Sequence, residues 1–76
     1  MIENTVKEII SKKKNIKSDD ITPQTRLKED LGLDSFDAVE IVMELEKVFK
    51  IQISDESMQQ FKILKDVVNY VETKIS

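Results

Sequence analysis

Apolar residues recur at helical spacing in three separate stretches of this chain. The one long stretch without that period, residues 15–34, holds the only proline, Pro23, and the only glycine, Gly32. No stretch alternates apolar and polar residues as a half-buried strand would. In "IENTVKEIISKKK", Ile2, Val6, Ile9 and Ile10 share one stripe, which predicts a helix of about three turns over 2–14. Its closing lysines suit the negative end of the helix dipole and read as a solvated helix end. "FDAVEIVMELEKVFK" predicts a second helix over 36–50, with Ala38, Ile41, Val42, Leu45, Val48 and Phe49 as its core face. "ISDESMQQF" reads as a short helical turn capped by Ser54 or Asp55. "LKDVVNYVETKI" predicts a last helix with Leu64, Val67, Val68, Val71 and Ile75 on one face, and Tyr70 off its centre with the hydroxyl near water. The expected fold is all-α: a single domain over residues 1–76, a small four-helix bundle of three main helices plus one short helix. A long loop joins the first and second helices, pinned by Ile16, Ile21, Leu27, Leu31 and Leu33.

A chain of 76 residues has room for one small core, burying about 60% of its unfolded surface. It has no cysteine, hence no disulfide, no thiolate nucleophile and no Cys-based metal site. It has no histidine, the commonest general base near neutral pH. Both absences argue against a self-sufficient enzyme. "MIENTVKEII" lacks the pattern of a signal peptide, and no run approaches the ~20 apolar residues that span a membrane. A soluble, cytoplasmic monomer without membrane insertion is expected. The net charge is −3, and residues 36–56 carry six acids against two lysines. A partner reading that region should be basic, and nucleic acid is not an expected partner. The loop acids Asp19, Asp20, Glu29, Asp30 and Asp34 lack the ordered spacing of a calcium loop, so they read as solvated and no metal site is expected.

Two features stay open on this reading. Phe36, Val39 and Met43 lie opposite the core face of the second helix, among Asp37, Glu40, Glu44 and Lys47. They lie under a neighbouring loop, or are ordinary exposed apolar surface, or form an apolar strip rimmed with carboxylates that suits a basic, partly hydrophobic groove. Ser35 stands where an N-cap is expected, yet Asp34 just before it can cap equally well. With Asp34 as cap, Ser35 becomes the first helical residue with its hydroxyl outward. A helix N-terminus tolerates a phosphate there, so Ser35 is permitted to be a chemical handle and is not required to be one.

The string Asp30, Leu31, Gly32, Leu33, Asp34, Ser35, Phe36 resembles the attachment motif of the acyl carrier protein family, D-L-G-x-D-S followed by a hydrophobic residue and an acidic helix. The likeness runs on through "VEIVMELE" and "ISDE" to "DVVNYVE", nearly the whole chain. It implies a carrier protein and not an enzyme. Ser35 would bear 4′-phosphopantetheine, transferred from coenzyme A by a separate phosphopantetheinyl transferase, which would supply the thiol that the chain lacks. Acyl intermediates of fatty acid, polyketide or related lipid biosynthesis would ride on it as thioesters. The resemblance also implies acyl-loading, condensing and acyl-modifying partners with basic grooves, docking at Asp34, Phe36, Asp37, Val39, Glu40, Met43 and Glu44. It implies an interior lined by Val42, Ile53 and Phe61 into which an attached chain can fold. Phe36 replaces the usual leucine, as in carriers of amino acids such as D-alanine, and −3 is a mild charge for the family. A specialised member, or an aminoacyl (D-alanyl or peptidyl-type) carrier, is therefore kept beside the general one. An unmodified helical interaction module is the alternative of another class.

Overall fold

Helix α1 (Ile2–Lys14) stops where Asn15 turns left-handed at φ 56°, and α2 (Ser35–Phe49) stops the same way at Lys50, also at φ 56°. After each turn the next amide reaches back five residues: Ile16 N–H donates to the Ser11 carbonyl (3.0 Å) and Ile51 N–H to that of Glu46 (3.2 Å). These bonds occupy carbonyls that the helix ends would otherwise leave unpaired. The computed structural model describes residues 2–75. Met1 and Ser76, the outermost residues of the expected domain, lie outside them. Helix α3 (Asp55–Gln59) and helix α4 (Leu64–Ile75) complete the order, with one 3₁₀ turn at Ser18–Asp20 in the first loop. The fold is the all-α bundle expected, three main helices and one short.

Helix α1 packs on both α2 and α4, and the core sits between them. Val6, Ile10, Ile21, Leu45, Leu64 and Val71 are its fully buried members. Each such side chain contributes about 1.5–3 kcal/mol relative to exposure. Ile21, Leu31 and Leu33 bring the long loop into the same core, while Ile16 and Leu27 pack against it, so all five loop anchors lie where the pattern put them.

Polar bonds fix the loop as well. Leu27 N–H donates to the Lys62 carbonyl (2.9 Å) and Leu64 N–H to that of Thr25 (3.0 Å), an antiparallel bridge of Arg26 with Ile63 that ties the loop to the start of α4. The buried Thr25 hydroxyl accepts from Thr22 N–H at 2.7 Å.

Several expectations need correction. Val48, assigned to the core face of α2, is 45% exposed. It lies at the edge of the stripe, in the α1–α2 groove beside Thr5 and Ile9, because the apolar arc is wider than the surface its neighbours cover. Ile75 is likewise exposed, in the last turn of α4. The end of α1 is not simply solvated, since Lys13 pairs with Glu40 and Lys14 with Asp37 across to α2. Nor are the loop acids only solvated: Glu29 and Asp30 pair with Arg26, and Asp34 caps α2. Tyr70 needs no correction: it is half-buried off the centre of the α4 stripe, its hydroxyl donates to the Gln52 carbonyl at 3.4 Å in an exposed position, and its ring meets Phe61 edge-on at 5.5 Å.

Candidate functional site

Between Asp30 and Ser35, almost every residue has a mechanical task. Asp30 accepts from the Arg26 backbone N–H (2.8 Å) and from its guanidinium at Nε (3.3 Å) and Nη2 (3.0 Å). That guanidinium holds the Asp30 carboxyl below the usual carboxylate range. Leu31 and Leu33 point into the core on either side of Gly32. Gly32 stands at φ +68°, a left-handed turn that favours glycine even though a methyl group there would meet no neighbour. This turn delivers Asp34 to the head of α2, where its Oδ1 accepts from Asp37 N–H at 2.8 Å while its carbonyl accepts from Ala38 N–H at 2.9 Å.

Asp34 is therefore the cap and Ser35 the first helical residue. The Ser35 side chain is exposed and its hydroxyl has no hydrogen-bond partner among the described residues. The N–H groups of Ser35 and Phe36 lie in the first turn of α2, where no intrahelical acceptor exists. A phosphodiester oxygen fits that environment, for the free donors and the positive helix end both favour negative charge. The residues present thus fit a phosphate-linked group on Ser35. None of them forms the nucleophile–base bond that would activate the hydroxyl from within.

Below Ser35 the outer face of α2 carries Phe36, Val39 and Met43, which are 70%, 42% and 61% exposed. No described loop covers them, so ordinary exposed apolar surface and a docking strip are the readings that remain. Asp34 and Glu44 are exposed at the ends of the strip, while Asp37 and Glu40 are half-buried between them. Lys14 Nζ donates to Asp37 Oδ2 at 3.0 Å, and this bond holds the Asp37 carboxyl below its ordinary range. Lys13 and Glu40 form the second pair. Sequence reasoning placed all seven residues of the strip on one surface but missed both lysines. Their only signal was position: the last turn of α1 is where an antiparallel neighbour's first turns come alongside.

The three interior residues are less closely grouped. Val42 and Ile53 are buried and Phe61 packs half-buried against the same core. Ile53 lines a surface hollow of about 730 Å³ with Tyr70 and Ser57. Phe61 lines another of about 380 Å³, and Val42 lines neither. Ile53 is held in place from the backbone, its N–H donating to the Glu46 carboxylate at 2.8 Å. No three His, Cys, Asp or Glu side chains among the described residues gather into a group that could hold a metal ion.

Comparison with known proteins finds likeness in both sequence and structure. Residues 4–71 match the family model described as a phosphopantetheine attachment site. An acyl carrier protein of Phytoplasma australiense is 45% identical over 76 residues, covering 100% of both chains. That of the Aster yellows witches'-broom phytoplasma is 49% identical over 71 residues, covering 93% of each. The solved structure of the acyl carrier protein from Enterococcus faecalis superposes with a TM-score of 0.83 at 34% identity, covering 96% of this chain and 92% of that one.

Proposed function

This chain belongs to the acyl carrier protein family, whose 4′-phosphopantetheine is attached covalently, and from that premise we propose that Ser35 bears the group and that α2 presents it to partner enzymes. One observation carries the assignment. From Asp30 to Ser35 every other side chain is buried or bonded, whereas Ser35 is neither. When bound, the arm supplies the thiol that a cysteine-free chain lacks and on which acyl cargo travels as a thioester. Ser35 Oγ attacks the phosphorus of coenzyme A that carries the pantetheine arm, and the pyrophosphate bond breaks so that adenosine 3′,5′-bisphosphate leaves. The hydroxyl proton goes to a base of the transferase, since this chain has no histidine and no described residue sets a base against Ser35. Asp34 keeps the hydroxyl outward by taking the cap position itself.

Phe36, Val39 and Met43 supply the apolar part of the docking face, and Asp34, Asp37, Glu40 and Glu44 its charge, which suits a basic and partly hydrophobic groove. The partners are the transferase and the acyl-loading, condensing and acyl-modifying enzymes of fatty acid, polyketide or related lipid synthesis. The chain acts as a monomer in the cytoplasm, and among the described residues no helix is long and apolar enough to cross a membrane. A cargo chain that enters the protein does so from the hollow beside Ile53 or from that beside Phe61, with Val42 buried in the core.

Phe36, which stands after Ser35 where the family usually has leucine, as in carriers of amino acids such as D-alanine, supports a second reading in which the cargo is an aminoacyl group. Loading assays on the modified protein separate the two. Charging by a fatty-acid-adenylating enzyme supports the acyl reading, and charging only by an amino-acid-adenylating enzyme supports the other. Partner binding unaffected by Ser35→Ala, with no modification of the parent, would leave an unmodified interaction module.

A further inference from the structure

Lys13 and Lys14, in the last turn of α1, close on two of the four carboxylates that a partner of α2 would read. With Lys13 on Glu40 and Lys14 on Asp37, the two acidic side chains keep only 36% and 19% of their exposure. Glu44 is exposed and makes no ion pair among the described residues. The apolar members of the face remain open, Phe36 at 70% and Met43 at 61%. The face therefore offers free apolar surface but only part of its formal charge.

A partner cation approaching Glu40 or Asp37 meets an ammonium already in place. It must displace that group or find its contact elsewhere. At a distance the paired charges also cancel, so the long-range pull of the face on a basic groove is weaker than its acid count suggests. We propose that Lys13 and Lys14 are specificity-determining residues of the docking face. By holding Glu40 and Asp37 they select partners whose groove is chiefly apolar opposite Phe36, Val39 and Met43, with a cation opposite Glu44, over partners that depend on a dense basic surface. This rests on the docking assignment above and names the chemistry of the partner it takes.

The test is the KM of the unmodified protein for a broad-specificity basic phosphopantetheinyl transferase, measured across ionic strengths. Lys13→Ala/Lys14→Ala exposes two carboxylates, while Lys12→Ala/Lys17→Ala makes the same change in net charge and breaks no ion pair. The first double variant should lower KM at low salt by about threefold more than the second and steepen its rise with salt. In the parent, Glu40→Gln should raise KM less than Glu44→Gln does, and in a Lys13→Ala background the two should cost the same. That single-site comparison in the parent stands even if the lysine variants are too unstable to assay. Equal effects of the two double variants, or equal costs of Glu40→Gln and Glu44→Gln in the parent, would overturn the proposal while leaving the carrier role intact. Failure of the parent to accept phosphopantetheine at all would bring down the carrier reading, and this inference with it.

Discussion

Replacing Asp34 by alanine and, separately, Ser35 by alanine should give opposite results, although the residues are adjacent and either type is a good cap. Asp34→Ala removes the acceptor of the 2.8 Å bond from Asp37 N–H. Loss of such a cap costs about 0.5–2 kcal/mol, typically near 1. It also removes a negative charge from the positive end of α2, worth about 0.3–1 kcal/mol. Together these come to about 1–2 kcal/mol, or a fall in Tm of about 5–15 °C for a domain this small. Asp34→Asn keeps the acceptor and loses only the charge, so it should recover at least half of that. Ser35→Ala removes a hydroxyl with no hydrogen-bond partner among the described residues and introduces the best helix former, so its effect should stay within about 0.5 kcal/mol of zero. Thermal unfolding followed by circular dichroism at 222 nm, at low salt and neutral pH, reads all three. A Ser35→Ala loss as large as that of Asp34→Ala would refute the division of labour: the serine would be the cap and no longer a spare group.

Two other outcomes follow from the packing and the ion pairs. Leu45 is fully buried where α2 meets the core, and Leu45→Ala should cost about 2–5 kcal/mol in chemical denaturation, enough to unfold much of so small a domain. Asp37 has its carboxyl pKa lowered by Lys14, so its contribution is present above the unfolded carboxyl value of about 4 and disappears as pH falls through the lower folded value. The stability gap between the parent and Asp37→Asn should therefore be constant from neutral pH down to about 5 and close at more acid pH. A gap that widens on acidification would contradict the pairing.

Much of the molecule was legible in the chain because helices are local. The stripe Ile2, Val6, Ile9, Ile10 placed α1 over its observed residues, and "LKDVVNYVETKI" coincides with α4. Capping is local too, and the sequence offered both Asp34 and Ser35 as caps, but the choice of Asp34 came with the structure. The outer strip Phe36, Val39, Met43 followed from the helical period, and the structure leaves it exposed.

What escaped was whatever depends on how elements meet. Lys13 and Lys14 read as a solvated helix end because their partners lie 27 and 23 residues away on another helix. Glu46 gave no sign that it would hold the Ile53 amide, since the turn between them had to be formed first. Val48 satisfied the core period, but period says only which face a residue is on and not whether a neighbour reaches it. The bridge between Arg26 and Ile63 joins two segments with no strand signal in either.

Intact mass spectrometry tests the central claim most directly. Parent and Ser35→Ala proteins would be incubated with coenzyme A and a broad-specificity phosphopantetheinyl transferase, after confirming that both are folded and unmodified. The account predicts that the parent gains the mass of one phosphopantetheinyl group and the variant gains nothing. An unmodified parent, or a variant modified as readily as the parent, would contradict it.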